Sequence, residues 1–223
     1  MSFVSVAIDG PSGAGKSTLA RRAASELGYC YVDTGAIYRT VSLYAYRKGA
    51  DAHDAAAVEA LLPEIHIDLF YEADGVQHML LNGEDVTGEI RSSEISLYTS
   101  AVSAIPAVRA FLLSLQRELA RTRDVVMDGR DIGTTVLPNA RVKVFLTAAP
   151  QARAHRRYLE LKAAGSGITE AEVLRDVERR DYDDSHRAAS PLRQAEDAVV
   201  LDTTDCGLEE SGRRLLAIIR ERV

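Results

Sequence analysis

The chain has 223 residues, 46% hydrophobic and 27% charged, a balance that builds a globular core and excludes a fibre, a disordered chain or a membrane bundle. A formal charge of -6 excludes a general nucleic-acid binder, which needs a dense basic face, and the absence of Trp leaves little for stacking single strands. Cys30 and Cys206 are too few for a disulfide framework, and the chain shows neither a basic, apolar leader nor an apolar run of membrane-spanning length, so a cytoplasmic protein is expected. The basic residues divide into 23 Arg and 4 Lys. Arginine's rigid fork suits phosphates, but genome composition produces the same excess, so only position can separate the two causes.

Phe3 to Ile8 (FVSVAI) is a short β-rich run ending in Asp9-Gly10, followed by a glycine loop and an amphipathic helix over Lys16 to Leu27. Tyr29 to Val32 predicts a second strand, and Ala36 to Lys48 a helix with Ile37, Val41 and Tyr44 on one face. Within Ile65 to Ile90, alternating runs separated by Asp74-Gly75 and Asn82-Gly83 predict a small antiparallel meander. Asp124 to Met127, Val142 to Thr147 and Ala198 to Asp202 lack strict alternation, as buried parallel strands do. Helical patterns cover Ala107 to Arg121, Pro150 to Ala164, Thr169 to Tyr182 and Leu208 to Arg222. The alternation predicts an α/β fold with a five-stranded parallel sheet covered by helices on both faces, plus a β insert and a helical lid.

Gly10-Pro11-Ser12-Gly13-Ala14-Gly15-Lys16-Ser17 fits the phosphate-loop pattern G-x-x-x-x-G-K-[ST], and Thr18 follows. Glycines let backbone N–H groups turn inward around phosphate oxygens while the next helix aims its positive end at them. Lys16 would reach the β- and γ-phosphates, and Ser17 would ligate Mg²⁺. A GTPase would also need a guanine-reading [NT]-K-x-D element, which no lysine here supplies. Asp85-Val86-Thr87-Gly88 matches D-x-x-G but falls in the meander, where it reads as a turn. Asp128-Gly129-Arg130-Asp131 follows a buried strand, where ligands bind in open α/β sheets, and Asp128 stands where a carboxylate would hold Mg²⁺ through water. A loop that merely turns the chain is the alternative there. Asp33 or Thr34 can cap the next helix, and Arg39 projects from its first turns toward a ligand or toward solvent.

GPSGAGKST, DTGAIYR, GEDVTGEIR, DGRDIGTTVLP and HRAASPL, in this order, closely resemble the bacterial cytidylate kinase family of nucleoside monophosphate kinases, over essentially the whole chain. Ser17 stands where many members have Gly, and Thr34 where many have Ser; both keep the needed chemistry. The resemblance implies transfer of the ATP γ-phosphate to CMP or dCMP by a single P-loop kinase domain over residues 1–223. Its core would be 1–33, 106–149 and 197–223, its acceptor-binding region with the β insert 34–105, and its lid with the following helix 150–196. It also implies an acceptor site of Thr34, Arg39, Ser100, Arg109, Arg130, Asp131, Arg180, Asp184 and Arg187. Ser100, Arg109 and Asp131 would read cytosine, and Arg39, Arg130 and Arg187 would clamp the acceptor phosphate. A carboxylate can accept from the cytosine amine while arginine and hydroxyl donate to its oxygen and ring nitrogen. Arg180 and Asp184 share a helix face, as a ribose site or as a plain ion pair.

ATP would be held by the phosphate loop, Gly10 to Thr18, and by Arg153 and Arg157 in the lid; these two share a face that Arg156 does not, and Glu160 could pair with one. Lys16, Arg130, Arg157 and Arg187 are the expected catalytic cations, Ser17 and Asp128 the expected Mg²⁺ ligands. The competing expectations are a kinase for UMP or AMP and a non-catalytic ATP-binding regulator. No long exposed apolar stripe calls for a partner, so a monomer is expected, without nucleic-acid or membrane binding.

Overall fold

In the computed structural model, which describes residues 3–72 and 75–223, the elements run β1 (Ser5–Asp9), α1 (Lys16–Leu27), β2 (Cys30–Asp33), α2 (Thr34–Arg47), α3 (Ala55–Leu61), β3 (Ile67–Tyr71), β4 (Gln77–Leu81), β5 (Glu84–Asp85), α4 (Ser93–Val102), α5 (Pro106–Thr122), β6 (Val125–Gly129), β7 (Val142–Thr147), α6 (Pro150–Ala163), α7 (Glu170–His186), β8 (Val199–Asp202) and α8 (Leu208–Arg220). β2, β6, β1, β7 and β8 form, in that order, a five-stranded sheet whose pairings are all parallel.

The strands lack strict alternation because both faces are covered. Val6, Ile8, Tyr31, Val126, Val144 and Leu146 pack against Leu19 and Ala23 of α1 and Leu215 and Ile219 of α8. Ala7, Val32, Val125 and Met127 point the other way, against Ile37 and Val41 of α2 and Val108 and Leu112 of α5. Each Val, Leu, Ile or Met among them contributes about 1.5–3 kcal/mol when withdrawn from water, so the two clusters supply the main driving force for the sheet and its helices.

The insert forms where expected, as an antiparallel sheet in the order β3-β4-β5. Asn82 (φ 51°) and Gly83 (φ 86°) take the left-handed conformations of a tight hairpin. The other hairpin signal is only half visible, because Asp74 lies outside the described residues. The insert is docked by a buried side chain: Gln77 of β4 accepts from the Asp33 N–H at 2.8 Å through Oε1 and donates to the Asp33 carbonyl at 3.3 Å through Nε2. The D-x-x-G sequence is a local turn, in which the Asp85 carboxylate accepts from the Thr87 N–H at 2.9 Å.

Two helices, α3 and α4, have no counterpart among the expected patterns. α3 is a short Ala-rich stretch, capped by Asp54, that buries only Val58. α4, capped by Ser92, buries Ile95 and Val102 and ends shortly before Pro106 opens α5. α6 and α7 pack as an antiparallel pair around a third, smaller apolar cluster of Ala154, Val173 and Val177. α7 starts with a reciprocal capping box between Thr169 and Glu172. Among the described residues no single helix is long and apolar enough to cross a membrane.

Candidate functional site

Strand register brings the phosphate loop and two carboxylates to one edge of the sheet. Asp128 of β6 is level with Ile8 of β1 and with Asp33 of β2, all at the carboxyl ends of their strands. The loop after β1 then turns tightly against β7. A Cβ on Gly10 (φ 149°) would sit 1.9 Å from the Leu146 carbonyl oxygen, so only glycine fits. Gly13 (φ 75°) and Gly15 (φ 89°) complete the curl, and α1 begins at Lys16 with its N-terminus aimed into it.

Lys16 is buried, and its Nζ donates to the Pro11 carbonyl at 2.7 Å. Burial, with Arg130 adding repulsion, brings its ammonium down to about 7. Asp128 accepts from Ser17 Oγ and from the Tyr31 hydroxyl, each at 2.9 Å, and burial pushes its carboxyl up to about 6, reinforced by Asp33. The adjacent Ser17 hydroxyl and Asp128 carboxylate are hard oxygen donors that fit Mg²⁺, an ion that keeps several waters and needs few protein ligands.

Asp9, one residue before the loop, points to the opposite face of β1. Its carboxylate accepts from the N–H groups of Ile132 at 2.8 Å and Gly133 at 2.7 Å, and burial pushes it up to about 6. These two bonds tie the phosphate-loop strand to the segment carrying Arg130 and Asp131. That segment continues into a π-helical turn, Ile132–Val136, whose last carbonyls are held by Arg117: Nη2 donates to Thr135 O and Nε to Val136 O, both at 3.0 Å. Irregular helical turns of this kind are frequent at functional sites.

Five arginines meet beside this segment. Arg130 Nε donates to Asp184 at 2.8 Å, and Arg187 lies 3.8 Å from the same carboxylate. Arg39 pairs with Asp33 at 3.1 Å, so it is held at the cleft instead of standing in solvent. Arg180 is disfavoured in its charged form, first by burial and then by Arg130, with Arg157 and Arg39 adding to the repulsion. Asp184 does not form the simple i,i+4 pair with Arg180 but is taken by Arg130. Thr34 is buried and donates its hydroxyl to the Asp128 carbonyl at 2.7 Å, so it braces the strand end that leads into Arg130 and Asp131.

Deeper in, Arg109 of α5 donates to Asp131 at 2.5 Å and to the Ser103 carbonyl at 3.0 Å, with its guanidinium over the Tyr38 ring. Arg187 Nη2 approaches the other Asp131 oxygen at 3.7 Å. Tyr38, Arg109, Asp131 and Gln116 line a cavity of about 210 Å³. Ser100, on α4, is linked to this group through Ser103, whose hydroxyl donates to the Ser100 carbonyl at 3.2 Å and whose own carbonyl accepts from Arg109.

The arginines of α6 differ in their surroundings. Arg153, an expected ATP contact, is 2% exposed, and each of its three nitrogens donates within the protein. It bonds Ala148 O at 2.8 Å and Ser12 O at 2.9 Å and pairs with both oxygens of Asp181. A guanidinium so satisfied fastens α6 and α7 to the phosphate loop. Arg156 likewise donates to Thr203 O at 2.5 Å. Arg157 alone of the three is exposed, pairing with Glu160 at 3.0 Å. Asp9, Gln77 and Tyr31 were not singled out beforehand. Asp9 could have been found as a carboxylate closing an otherwise apolar strand; Gln77 and Tyr31 carry no such signal.

A family model described as cytidylate kinase matches residues 6–221. Proteins named cytidylate kinase from Syntrophotalea carbinolica and Rhodococcus jostii are 50% and 48% identical to this chain, each over 97% of it and over 92% and 95% of their own lengths. One from Geobacter sulfurreducens is 49% identical over 97% of this chain and 93% of its own. In fold, the chain is similar to a gluconokinase from Sinorhizobium meliloti, with a TM-score of 0.50 at 16% identity, over 100% of this chain and 95% of that one. Identity near one half, sustained from the first strand to the last helix, makes this chain a member of the cytidylate kinase family.

Proposed function

We propose that the chain transfers the γ-phosphate of ATP to CMP or dCMP, giving ADP and CDP or dCDP. The observation that carries this reading is the arginine cluster at the strand ends beside the phosphate loop: Arg130 and Arg187 converge on Asp184 and Arg39 on Asp33, with Arg180, whose charged form is disfavoured by burial and then by Arg130, among them, a concentration of cations that a second phosphate would neutralise. In this reading Lys16 and the backbone N–H groups of Ser12 to Thr18 hold the ATP phosphates, with Gly10 and Pro11 shaping the loop, and Arg39, Arg130 and Arg187 hold the acceptor phosphate. Phosphoryl transfer needs mainly such positioning and charge neutralisation. Mg²⁺, held by Ser17 and Asp128 together with the phosphates, would neutralise charge developing on the β- and γ-oxygens.

Ser100, Arg109 and Asp131 read the base, while Arg180 and Asp184 face the ribose. Residues 34–105 act as the acceptor-binding region and 150–196 as the lid, with Arg157 its mobile cation and Arg153 its fixed anchor. Because both substrates are served by residues of one chain, the functional unit is a monomer. Two free cysteines suit a reducing cytoplasm.

An ADP-release assay over CMP, dCMP, UMP and AMP tests the assignment. CMP and dCMP should have the highest kcat/KM. Preference for UMP or AMP overturns the base assignment, and no turnover with any acceptor supports a regulator instead.

A further inference from the structure

Among the described residues only Asn82 and Ser190 combine a side chain with a left-handed φ. Asn82 owes it to a hairpin. Ser190 (φ 48°) has no such reason, and Pro191 follows it, which favours an extended conformation in the residue before. Backbone of this kind persists only where its surroundings fix it, and it gathers at functional sites. Here the surroundings are specific. The Ser190 carbonyl accepts from Arg187 Nε at 2.8 Å and from Nη2 at 2.7 Å, so one oxygen holds a whole edge of the guanidinium. Nη1 lies outside that grip, 3.8 Å from Asp184. The turn closes back onto α7, where the Leu192 N–H donates to the Asp184 carbonyl at 2.7 Å, and Thr135 donates its hydroxyl to Ser190 Oγ at 3.4 Å. The Arg187 side chain is 7% exposed, and burial, followed by Arg109, disfavours its charge.

We propose that Ser190 is a positioning residue, whose left-handed backbone aims its carbonyl at Arg187 and so fixes the guanidinium that holds the acceptor phosphate. With φ in the ordinary negative region the carbonyl would point elsewhere. Arg187 would then lose both hydrogen bonds and be free to move toward Asp131, which is 3.7 Å from Nη2. A long side chain ordered before its ligand arrives loses less freedom on binding, so the hold acts on acceptor affinity. The backbone conformation carries this role, and the Ser190 hydroxyl does not.

The inference rests on Arg187 serving the phosphate of CMP, and the experiment separates the two. Ser190→Thr keeps the hydroxyl but adds a β-branch that a positive φ does not accommodate, whereas Ser190→Asn loses the hydroxyl and tolerates that φ. Both are assayed beside the wild type for KM of CMP at saturating ATP and KM of ATP at saturating CMP. Ser190→Thr should raise KM for CMP about five- to tenfold and KM for ATP at most about twofold. Ser190→Asn should stay within about twofold of the wild type for both substrates. In an Arg187→Ala background Ser190→Thr should add at most about twofold, because a residue acting through Arg187 has nothing left to position. A harmless Ser190→Thr, or a harmful Ser190→Asn, overturns the proposal. So does a Ser190→Thr effect that falls equally on ATP and CMP or persists undiminished without Arg187, since either marks a purely structural residue. If Ser190→Thr fails to fold, Ser190→Asn decides: an unchanged KM for CMP supports the proposal and a raised one refutes it. A wild type inactive on CMP, or an Arg187→Ala variant with unchanged KM for CMP, overturns the underlying reading.

Discussion

At the residue scale the cleft stores unfavourable electrostatics that substrates relieve. Lys16 has no carboxylate partner close enough to offset its burial, and its ammonium falls from 10.5 to about 7. A lowered cation costs the fold wherever it must be charged, so this group's contribution to stability rises as pH climbs from about 7 toward 10.5. Bound triphosphate reverses the balance by favouring the ammonium. At pH 8 the free protein should hold this proton in only about a tenth of molecules, while Asp9 and Asp128, near 6, are already ionised. ATP binding at pH 8 should therefore take up close to one proton, seen by calorimetry in buffers of different ionisation enthalpy; no buffer dependence would contradict the shifted lysine. Lys16→Ala should lower kcat by about 10²–10³-fold, since it removes the cation nearest the transferring group. A near wild-type kcat in a coupled assay would remove Lys16 from the chemistry.

At the scale of elements, function depends on how strand ends are tied together. β1 carries the phosphate loop after it and, through Asp9, grips the start of the turn that follows Arg130 and Asp131. An asparagine keeps one acceptor oxygen and loses the other, so Asp9→Asn frees one of two backbone N–H groups. We expect KM for CMP to rise about 5–20-fold, from roughly 1–2 kcal/mol of lost positioning, with ATP affinity changing less. Equal effects on both substrates, measured by varying each at saturation of the other, would show that Asp9 serves the fold alone. α6 and α7 follow the same logic, since Arg153 joins them to Ser12 of the phosphate loop and leaves Arg157 as the outward cation.

For the whole molecule, an acidic chain of net charge -6 concentrates positive charge in one cleft. That concentration opposes folding and favours anions, so site and stability are in tension. Arg180 is the sharpest case, because burial and neighbouring arginines both disfavour its charge. Arg180→Gln should raise the melting temperature of the ligand-free protein by a few degrees, about 1 kcal/mol, while raising KM for CMP at least tenfold. A lower melting temperature would mean that Arg180 packing outweighs its repulsion. CMP at 100 times its dissociation constant should stabilise the wild type by about 2.7 kcal/mol, and should stabilise the variant far less at the same concentration.

Much of this was legible in the linear sequence wherever physics acts over a few residues. Phosphate-loop glycines need their backbone freedom locally, helix periodicity is local, and the buried strands announced themselves as apolar runs. The ends of α1 and the start of α6 match the predicted positions residue for residue. Asn82-Gly83 specified its own hairpin. What stayed hidden depends on distant partners. Arg153 and Arg157 share a helix face by their spacing, and only the packing of α6 against α7 and the phosphate loop decides that the first is an anchor and the second is exposed. Gln77 docks the insert, Arg130 takes Asp184 from Arg180, and Gln116 faces a cavity, each through contacts across dozens of residues or between separate elements. The sequence by itself determined the fold class, the nucleotide loop and the family, because those rest on short-range geometry and ordered motifs. Tertiary structure alone decided which charged side chains are spent on the fold and which remain for ligands, because burial and pairing are properties of neighbours in space.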